Sequence, residues 1–272
     1  MNFSQGSLSM TTTAYDCDNN LVASDTRWSA KLDLIDGAYI LYADDTGFNK
    51  ISHRPGGAIF CAGDGKTIEK LKQWWLAEPF DPENIPALQE NMQYTVSVMV
   101  VSSTGERLFD AGPKQALVDP ENNNHLHAVF SGSGGAFAGN TFAQCGCVKT
   151  AVSAAKTFDP FSGGDVKFCN VTTGEGNLDD ETLDYNSIMN AMEKRGILMK
   201  YTGFYAANAE NVQTIPVHEH PQFAKISGQL KQGEVRAYSH TGGNDVEWNR
   251  ERISKLKDAA RKIAEIESRM KA

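Results

Sequence analysis

Residues 11–27 read TTTAYDCDNNLVASDTR, and their pattern is the strongest indication of how the chain folds. The first five residues favour a β-strand because they are rich in threonine and end in tyrosine. Residues 17–20 are a cluster of turn formers, and residues 21–24 resume as a strand. The stretch therefore predicts a tight antiparallel hairpin close to the start of the chain.

The rest of the chain predicts groups of strands separated by groups of helices. Further strands are expected at residues 38–42, 58–61, 94–102, 106–110, 126–130 and 165–171, and helices at residues 66–76, 87–92, 137–145, 148–157 and 245–271. This grouping favours the α+β class, because βαβ units would alternate strand and helix. In the first helix Trp74 and Trp75 are adjacent, so one of them is expected to point away from the local core. The last helix has an apolar stripe that Glu267 interrupts, which is more typical of packing on its own domain than of a coiled coil.

The composition excludes several classes of function. There are 34 acidic against 26 basic side chains, and the net charge of −8 argues against nucleic acid, whose phosphates need clustered Lys and Arg. No run approaches the roughly eighteen apolar residues of a membrane span. The first ten residues lack the features of a secretory signal, so a cytoplasmic protein is expected. Five scattered cysteines fit a reducing compartment, with Cys145 and Cys147 expected as small buried side chains on a helix.

Short motifs follow one another along the chain in a specific order. They are Ser24-Asp25-Thr26-Arg27 after the hairpin, Lys50 at the start of a strand, Ala62-Gly63 before the first helix, Gly132-Ser133-Gly134 opening a later helix, and Asp159 three residues before Ser162-Gly163-Gly164. Any one of them alone is more often a helix cap, a turn or a surface ion pair. Their joint order and spacing make that reading the less favoured one.

In this order, roughly residues 11–171 resemble the proteasome β-subunit superfamily, whose bacterial relatives are the heat-shock-locus peptidase ring and the Anbu-type peptidases. The resemblance implies a four-layer αββα sandwich, here with a C-terminal helical extension. It also implies a threonine peptidase in which an N-terminal Thr hydroxyl attacks a peptide carbonyl and its own α-amine is the base. An α-amine titrates near pH 8, so much of it is neutral and able to accept that proton.

The resemblance assigns roles to seven residues and implies partners. Thr11 is the nucleophile, Asp25 fixes Lys50, Lys50 lowers the pKa of the terminal amine, Gly63 supplies the oxyanion N–H, and Ser133, Asp159 and Ser162 surround that amine. The expected substrate is a peptide or unfolded protein. The expected assembly is a homo-oligomeric ring, with an ATPase unfoldase as a further partner. No cofactor and no metal are expected; the histidines of residues 125–127 and 218–220 are more typical of an exposed strand than of a metal site.

The nucleophile has an alternative. Between Thr11 and Asp25 the hairpin is two residues shorter than the family pattern, and a two-residue change keeps side-chain parity, so Thr11 faces Lys50 and Thr12 faces away. An ungapped count places Ser9 there instead. Either residue acts only after the residues before it are removed, which makes residues 1–10 a leader or propeptide. Residues 11–173 are then the proteasome-β-like domain, and residues 174–272 an extension that continues the domain edge and ends in a helix at about 246–271.

Two other functions stay open. One is an unprocessed, non-catalytic scaffold subunit with the same fold, such as a structural component of a phage particle, in which case the location is the virion. The other is an amidohydrolase acting on a small amide with the same machinery and a different pocket. Fold alone does not decide between them.

Overall fold

A computed structural model describes residues 11–91, 94–112, 114–200, 213–239 and 246–271. The strands are β1 (Thr13–Asp16), β2 (Leu21–Asp25), β3 (Trp28–Leu34), β4 (Gly37–Ala43), β5 (Ile51–Arg54), β6 (Gly57–Asp64), β7 (Gln89–Glu90), β8 (Tyr94–Ser102), β9 (Arg107–Ala111), β10 (Lys114–Asp119), β11 (His125–Ser131), β12 (Val166–Asn170), β13 (Ile197–Lys200), β14 (Thr214–Pro216) and β15 (Tyr238–Ser239). The helices are α1 (Gly65–Trp75), α2 (Gly135–Cys145), α3 (Val148–Phe158), α4 (Asn186–Arg195), α5 (Phe223–Gln232) and α6 (Arg250–Lys271), with a short 3-10 helix at Val217–Glu219.

The predicted hairpin lies at the centre of a five-stranded antiparallel sheet. The strand order is β10-β11-β1-β2-β12. Thr13 pairs with Ser24 of β2 on one side and with Ser131 of β11 on the other. This register brings the start of β1 beside the end of β2.

The second sheet contains the other strands and takes in the C-terminal part of the chain. Its order is β14-β13-β4-β3-β15-β6-β8-β7, with β5 paired to β6 and β9 to β8. Strand β15 lies between β3 and β6: Tyr238 pairs with Ser29 and with Asp64, and Ser239 pairs with Gly63. A strand from residues 174–272 therefore closes a gap within the sheet that the first half of the chain builds.

The core consists of apolar clusters on both faces of the sheets. One cluster packs α2 and α3 against β1, β2 and β11, and it includes Phe130, Phe142 and Val152. Another joins side chains of the two sheets, including Tyr15, Phe60 and Val129. The largest packs the ten-stranded sheet against α1, α4, α5 and α6, and it includes Trp28, Ile188 and Ile263. The α+β class predicted from the sequence is confirmed.

Within the described residues no helix has the length and apolar character to cross a bilayer.

One predicted element is wrong. Residues 87–92 were expected to form a short helix, but the chain there forms β7, in which Gln89 pairs with Thr95 and Glu90 with Tyr94 of β8. Met92 lies outside the described residues. Pairing with the strand that immediately follows satisfies the backbone hydrogen bonds that so short a helix would leave open at its ends.

The predicted burial of two residue pairs, Trp74 with Trp75 and Cys145 with Cys147, is also corrected. Trp74 and Trp75 are 8% and 0% exposed, because Phe80 in the following loop folds back onto both rings. Cys145 is exposed and Cys147 is half-buried, because they flank the turn between α2 and α3 and do not lie on the inner face of a helix. The tryptophan pair is therefore part of the core, and neither cysteine is fully buried.

Glu267, which interrupts the apolar stripe of α6, ties that helix to the sheet. Its carboxylate accepts hydrogen bonds from Arg54 Nε at 2.5 Å and Nη2 at 2.6 Å, and from the Gly56 N–H at 3.1 Å. Arg54 also donates to the Trp75 carbonyl, and both charged side chains are buried. Burial acts to raise the pKa of Glu267, but Arg54 and the Gly56 N–H hold that pKa below its ordinary value.

We expect Glu267→Ala to lower the free energy of unfolding by about 3 kcal/mol, because it leaves the buried Arg54 charge with only the longer ion pair to the exposed Glu78, at 3.5 Å. Glu265→Ala is the matched control on the same helix, since among the described residues Glu265 makes only an exposed ion pair, with Arg269 at 3.7 Å. Denaturant unfolding of both variants measures the difference. Equal effects would show that the buried pair does not anchor α6. Because the pKa of Glu267 is lowered in the folded state, this contribution is present above its unfolded pKa and is lost as the pH falls through the folded pKa.

Candidate active site

The hairpin register places two threonines against one buried carboxylate. Asp25, the last residue of β2, donates its N–H to the Thr12 carbonyl at 3.0 Å. Its Oδ1 accepts hydrogen bonds from Thr11 Oγ1 at 2.5 Å and from the Thr12 N–H at 2.9 Å. Its Oδ2 accepts from the N–H groups of Arg27 and Gly163, both at 3.1 Å. These donors fix the carboxylate in one orientation.

Lys50 completes a triad with Thr11 and Asp25. It directly precedes β5, and its carbonyl accepts a hydrogen bond from the Cys61 N–H of β6 at 2.9 Å. Its Nζ donates to Thr11 Oγ1 at 2.5 Å and to Asp25 Oδ1 at 2.8 Å. Burial lowers the pKa of Lys50, and the neighbouring Asp25 carboxylate opposes that shift. All three residues are at most 1% exposed.

A second network lies next to the triad and joins the remaining predicted polar residues. Asp159, which ends α3, accepts hydrogen bonds on Oδ2 from Ser133 Oγ at 2.5 Å and from Ser162 Oγ at 2.6 Å. Ser162 Oγ also lies 2.7 Å from Thr12 Oγ1. Because the Ser162 hydroxyl proton is used on Asp159, the Thr12 hydroxyl is the donor to Ser162. The sequence predicted that Ser133, Asp159 and Ser162 surround a terminal Thr11 amine. In this chain Thr11 is still joined to Met10, and the network contacts the Thr12 side chain.

Burial raises the pKa of Asp159, while the hydroxyls of Ser133 and Ser162 act in the opposite direction. The carboxylate nevertheless has three donors, since its Oδ1 accepts the Phe161 N–H at 3.2 Å. The two networks meet at consecutive residues before β1: the Thr11 hydroxyl belongs to the first network and the Thr12 hydroxyl to the second.

Two glycines in the loop before α2 allow the threonines to lie this close to the loop. A side chain at Gly132, where φ is +91°, would overlap the Thr11 carbonyl, and one at Gly134 would overlap the Thr12 hydroxyl. The Gly134 N–H also donates to the Thr11 carbonyl at 3.3 Å. The Gly-Ser-Gly motif therefore presents Ser133 and makes room for the end of β1.

Gly63 lies inside a ladder and in neither network. It is part of β6, where it pairs with Val96 of β8 and with Ser239 of β15. Its φ is +128°, and a side chain there would overlap the Thr95 carbonyl, so only glycine fits without strain. Gly63 is two residues along β6 from Cys61, which pairs with Lys50. Strand β15 thus pairs with β6 on the same side as Lys50 does, which is the side closest to the triad.

The sequence reasoning missed Arg27 as a site residue. Its guanidinium makes a bidentate ion pair with Asp44, at 2.8 Å for each contact, and donates to the Pro160 carbonyl at 2.6 Å. It also stacks on the Tyr42 ring, 3.8 Å from the centroid. Its position in the Ser-Asp-Thr-Arg motif could have identified it as a site residue. An arginine two residues after the Asp25 carboxylate can connect that carboxylate to the loop that carries Ser162.

A cavity of about 360 Å³ opens beside this loop. Its walls include Arg27 and Tyr42, the Ser162–Gly164 turn, and Met199 and Thr214 from the C-terminal part. Ser162 belongs both to the cavity wall and to the second network. The cavity is large enough to accept a side chain close to the polar networks.

The six polar side chains predicted from the motifs thus come together in two adjoining networks, and Gly63 lies in a neighbouring strand. Ser9 and the leader of residues 1–10 lie outside the described residues. A hydroxyl, an amine and a carboxylate in mutual contact are the groups that nucleophilic catalysis requires.

No protein-family model matches the chain, and no curated protein is similar to it in sequence.

Proposed function

We propose that the protein is a threonine-type N-terminal-nucleophile hydrolase that cleaves peptides or unfolded proteins and is made as a precursor. The observation that supports this most is the contact of the Thr11 hydroxyl with both Lys50 Nζ and Asp25 Oδ1, at 2.5 Å each, in a fully buried position. A structural threonine at a strand end has no need of a buried lysine and a buried aspartate together, since burying two charges is costly.

Processing gives this arrangement its chemistry. While Met10 is attached, the Thr11 nitrogen is an amide and has no lone pair that can accept a proton. Removal of residues 1–10 converts it into an α-amine beside Lys50. The Thr11 oxygen then bonds to the substrate carbonyl carbon, its proton passes through the amine to the leaving group, and the peptide C–N bond breaks. Water afterwards hydrolyses the ester and restores the hydroxyl.

The intact mass of the purified protein tests the processing step. We expect a mass below 29.7 kDa by the mass of residues 1–10, which would expose the Thr11 amine. Removal in a wild-type sample and retention in Thr11→Ala would show that the chain cleaves itself. A mass of 29.7 kDa in the wild-type protein, from cells and after prolonged incubation, would contradict self-processing.

The proposal includes the four-layer αββα sandwich and a ring assembly. The apolar clusters support the layering, because α2 and α3 pack on the five-stranded sheet while α1 and α4–α6 pack on the other. The exposed rings of Phe137 on α2 and Phe158 on α3 support the assembly. They stack with centroids 5.4 Å apart and are 39% and 51% exposed. Adjacent exposed aromatics on two helices are typical of an interface.

Light scattering is expected to show a multiple of the subunit mass found by the intact-mass measurement, at micromolar concentration, and Phe158→Ser is expected to shift the protein towards the monomer. Ile35→Ser is the matched control. Ile35 is 89% exposed in the turn between β3 and β4, so the substitution removes a comparable exposed apolar side chain away from α2 and α3. A wild-type monomer would contradict the ring. An equal loss of assembly in both variants would contradict the helical interface.

A non-catalytic scaffold subunit is the second candidate, and β15 is the observation that favours it. Ser239 pairs with Gly63, the residue expected to stabilise an oxyanion, and Thr11 is completely buried. A substrate strand alongside Gly63 would have to displace β15. A scaffold would retain 29.7 kDa and assemble without hydrolysing peptides.

A further inference from the structure

The turn of the β1–β2 hairpin brings one carboxylate and two imidazoles together. Asp18 Oδ1 lies 2.6 Å from His125 Nε2, and Asp18 Oδ2 lies 2.6 Å from His127 Nδ1. The imidazole rings meet edge to face with centroids 4.7 Å apart. The three candidate ligand atoms lie within 4.8 Å of one another; Asp18 and His125 are exposed to solvent and His127 is half-buried.

Backbone contacts hold this cluster in place. His125 and His127 are two residues apart on β11, where the register with β10 shifts between Leu126 and Ala128, and both imidazoles lie on the face where they meet Asp18. The Cys17 N–H donates to the His127 carbonyl at 2.8 Å, which fastens the turn to β11. The Asp16 carboxylate accepts the N–H groups of Asp18 and Asn19 at 3.1 and 3.0 Å, which fixes the turn itself. The ligand side chains therefore start from an ordered framework.

The cluster is separate from the triad. Thr11 precedes β1 and Asp18 follows it, so the two groups lie at opposite ends of the strand, with Thr11 and Asp18 roughly 20 Å apart along the chain at about 3.3 Å per residue. The networks described for Thr11 and Thr12 contain neither histidine. A ligand bound at the turn would therefore act on the hairpin and its surroundings and would not take part in chemistry at Thr11.

We propose that Asp18, His125 and His127 form a binding site for a divalent transition-metal ion of the Zn²⁺ type. This inference goes beyond the proposed hydrolase and does not depend on it. Two imidazole nitrogens with one carboxylate oxygen suit Zn²⁺, Co²⁺ or Ni²⁺, whereas Mg²⁺ and Ca²⁺ prefer oxygen ligands alone. With three protein ligands and an exposed face, the site leaves a fourth position open to water or to a ligand from another molecule.

Metal binding needs only a small change in the cluster. Tetrahedral Zn²⁺ lies about 2.0 to 2.2 Å from nitrogen and oxygen ligands, which puts neighbouring ligand atoms about 3.3 Å apart. Each N–O separation must therefore open from 2.6 Å by well under 1 Å, and the two imidazole nitrogens, which lie within 4.8 Å of each other, must reach the same spacing. Rotation of the exposed Asp18 and His125 side chains provides these shifts. Both imidazoles bind through the nitrogens that now face Asp18, and these nitrogens give up their protons to solvent as the ion enters.

Calorimetric titration of the full chain with Zn²⁺ alone, after removal of metal with a chelator, tests the site. We expect one ion per chain, and a loss of affinity of about tenfold or more in each of Asp18→Asn, His125→Ala and His127→Ala. His218→Ala is the matched control, because His218 is an exposed histidine next to the acidic Glu219. It should leave binding unchanged. No binding to the wild-type chain, or equal binding to all four variants, would overturn the proposal.

A second measurement covers the case in which a variant is less stable. Thermal unfolding is measured with and without Zn²⁺. The ion should raise the Tm of the wild-type protein and of His218→Ala, because an ion that binds only the folded state stabilises it. The shift should vanish in the three ligand variants whatever their starting Tm. An equal shift in those variants would assign the metal to another place on the chain. Co²⁺ titration should give the visible absorption of a tetrahedral site in the wild-type protein and in His218→Ala, and not in the three ligand variants.

Discussion

A chain that begins at Thr11 should be labelled covalently at that residue by a peptide epoxyketone. Such a reagent needs a hydroxyl that adds to its ketone carbon and a free amine on the same residue that opens its epoxide ring. In the structure the hydroxyl already lies 2.5 Å from Lys50 Nζ, so a free α-amine is the remaining requirement. Peptide mapping by mass spectrometry should place the label on the first residue. The chain that begins at Met1 should not react while its leader is retained.

The two neighbouring threonines provide the control for this labelling. Thr11→Ala should abolish it, whereas Thr12→Ala should retain it, because the Thr12 hydroxyl donates to Ser162 and lies in the other network. Labelling that disappears equally in both variants would mean that the Ser162–Asp159 network is needed for the reaction. No labelling of a folded chain beginning at Thr11 would favour the scaffold subunit. A label on Ser9, in a chain that begins at Ser9, would show that the ungapped count was right.

The sequence predicted most helices and strands of the first 171 residues. It missed the strands whose residues show no regular alternation of apolar and polar side chains. Strand β3 alternates apolar and charged residues over only part of its length, since its first three residues, beginning at Trp28, are all buried. Strand β10 is mostly exposed at the edge of its sheet, so it has no apolar face to reveal it. Strand β15 is formed by two residues that pair with positions more than 170 residues earlier, and no local pattern encodes such pairing.

The candidate site was more predictable than the C-terminal part, because its residues lie in short motifs at strand and helix ends. Asp25, Lys50 and Asp159 were found through motif order, which the pairing of distant strands then brings together. The hydrogen bond from Thr12 to Ser162 was not predicted, because it depends on the exact approach of β1 to the loop before α2. The histidine–aspartate cluster was missed for a similar reason: Asp18 is 107 residues from His125 and meets it only through the sheet.

Replacing the buried lysine of the triad should remove activity and retain the fold. In the chain that begins at Thr11, Lys50→Met should lower kcat for a fluorogenic peptide on the order of 10²- to 10⁴-fold, because Lys50 supplies the one side-chain amine of the described residues that contacts the Thr11 hydroxyl. The Asp25 carboxylate keeps the N–H donors of Thr12, Arg27 and Gly163, so its remaining hydrogen bonds support the folded state. Some stability is still lost, since Asp25 is left without its opposite charge.

Lys72→Met separates loss of chemistry from loss of stability. Lys72 is also 1% exposed, and its Nζ donates to the Asn49 carbonyl at 2.7 Å and to Glu181, but it contacts neither Thr11 nor Asp25 in the networks described. Burial lowers the pKa of both lysines, so the two substitutions remove amines from similar surroundings. We therefore expect comparable decreases in Tm and a large decrease in kcat only for Lys50→Met. If both variants hydrolyse the peptide at the wild-type rate, Lys50 does not activate Thr11. If both lose activity in proportion to their loss of folded protein, the lysine at position 50 holds the hairpin in place and has no part in the reaction.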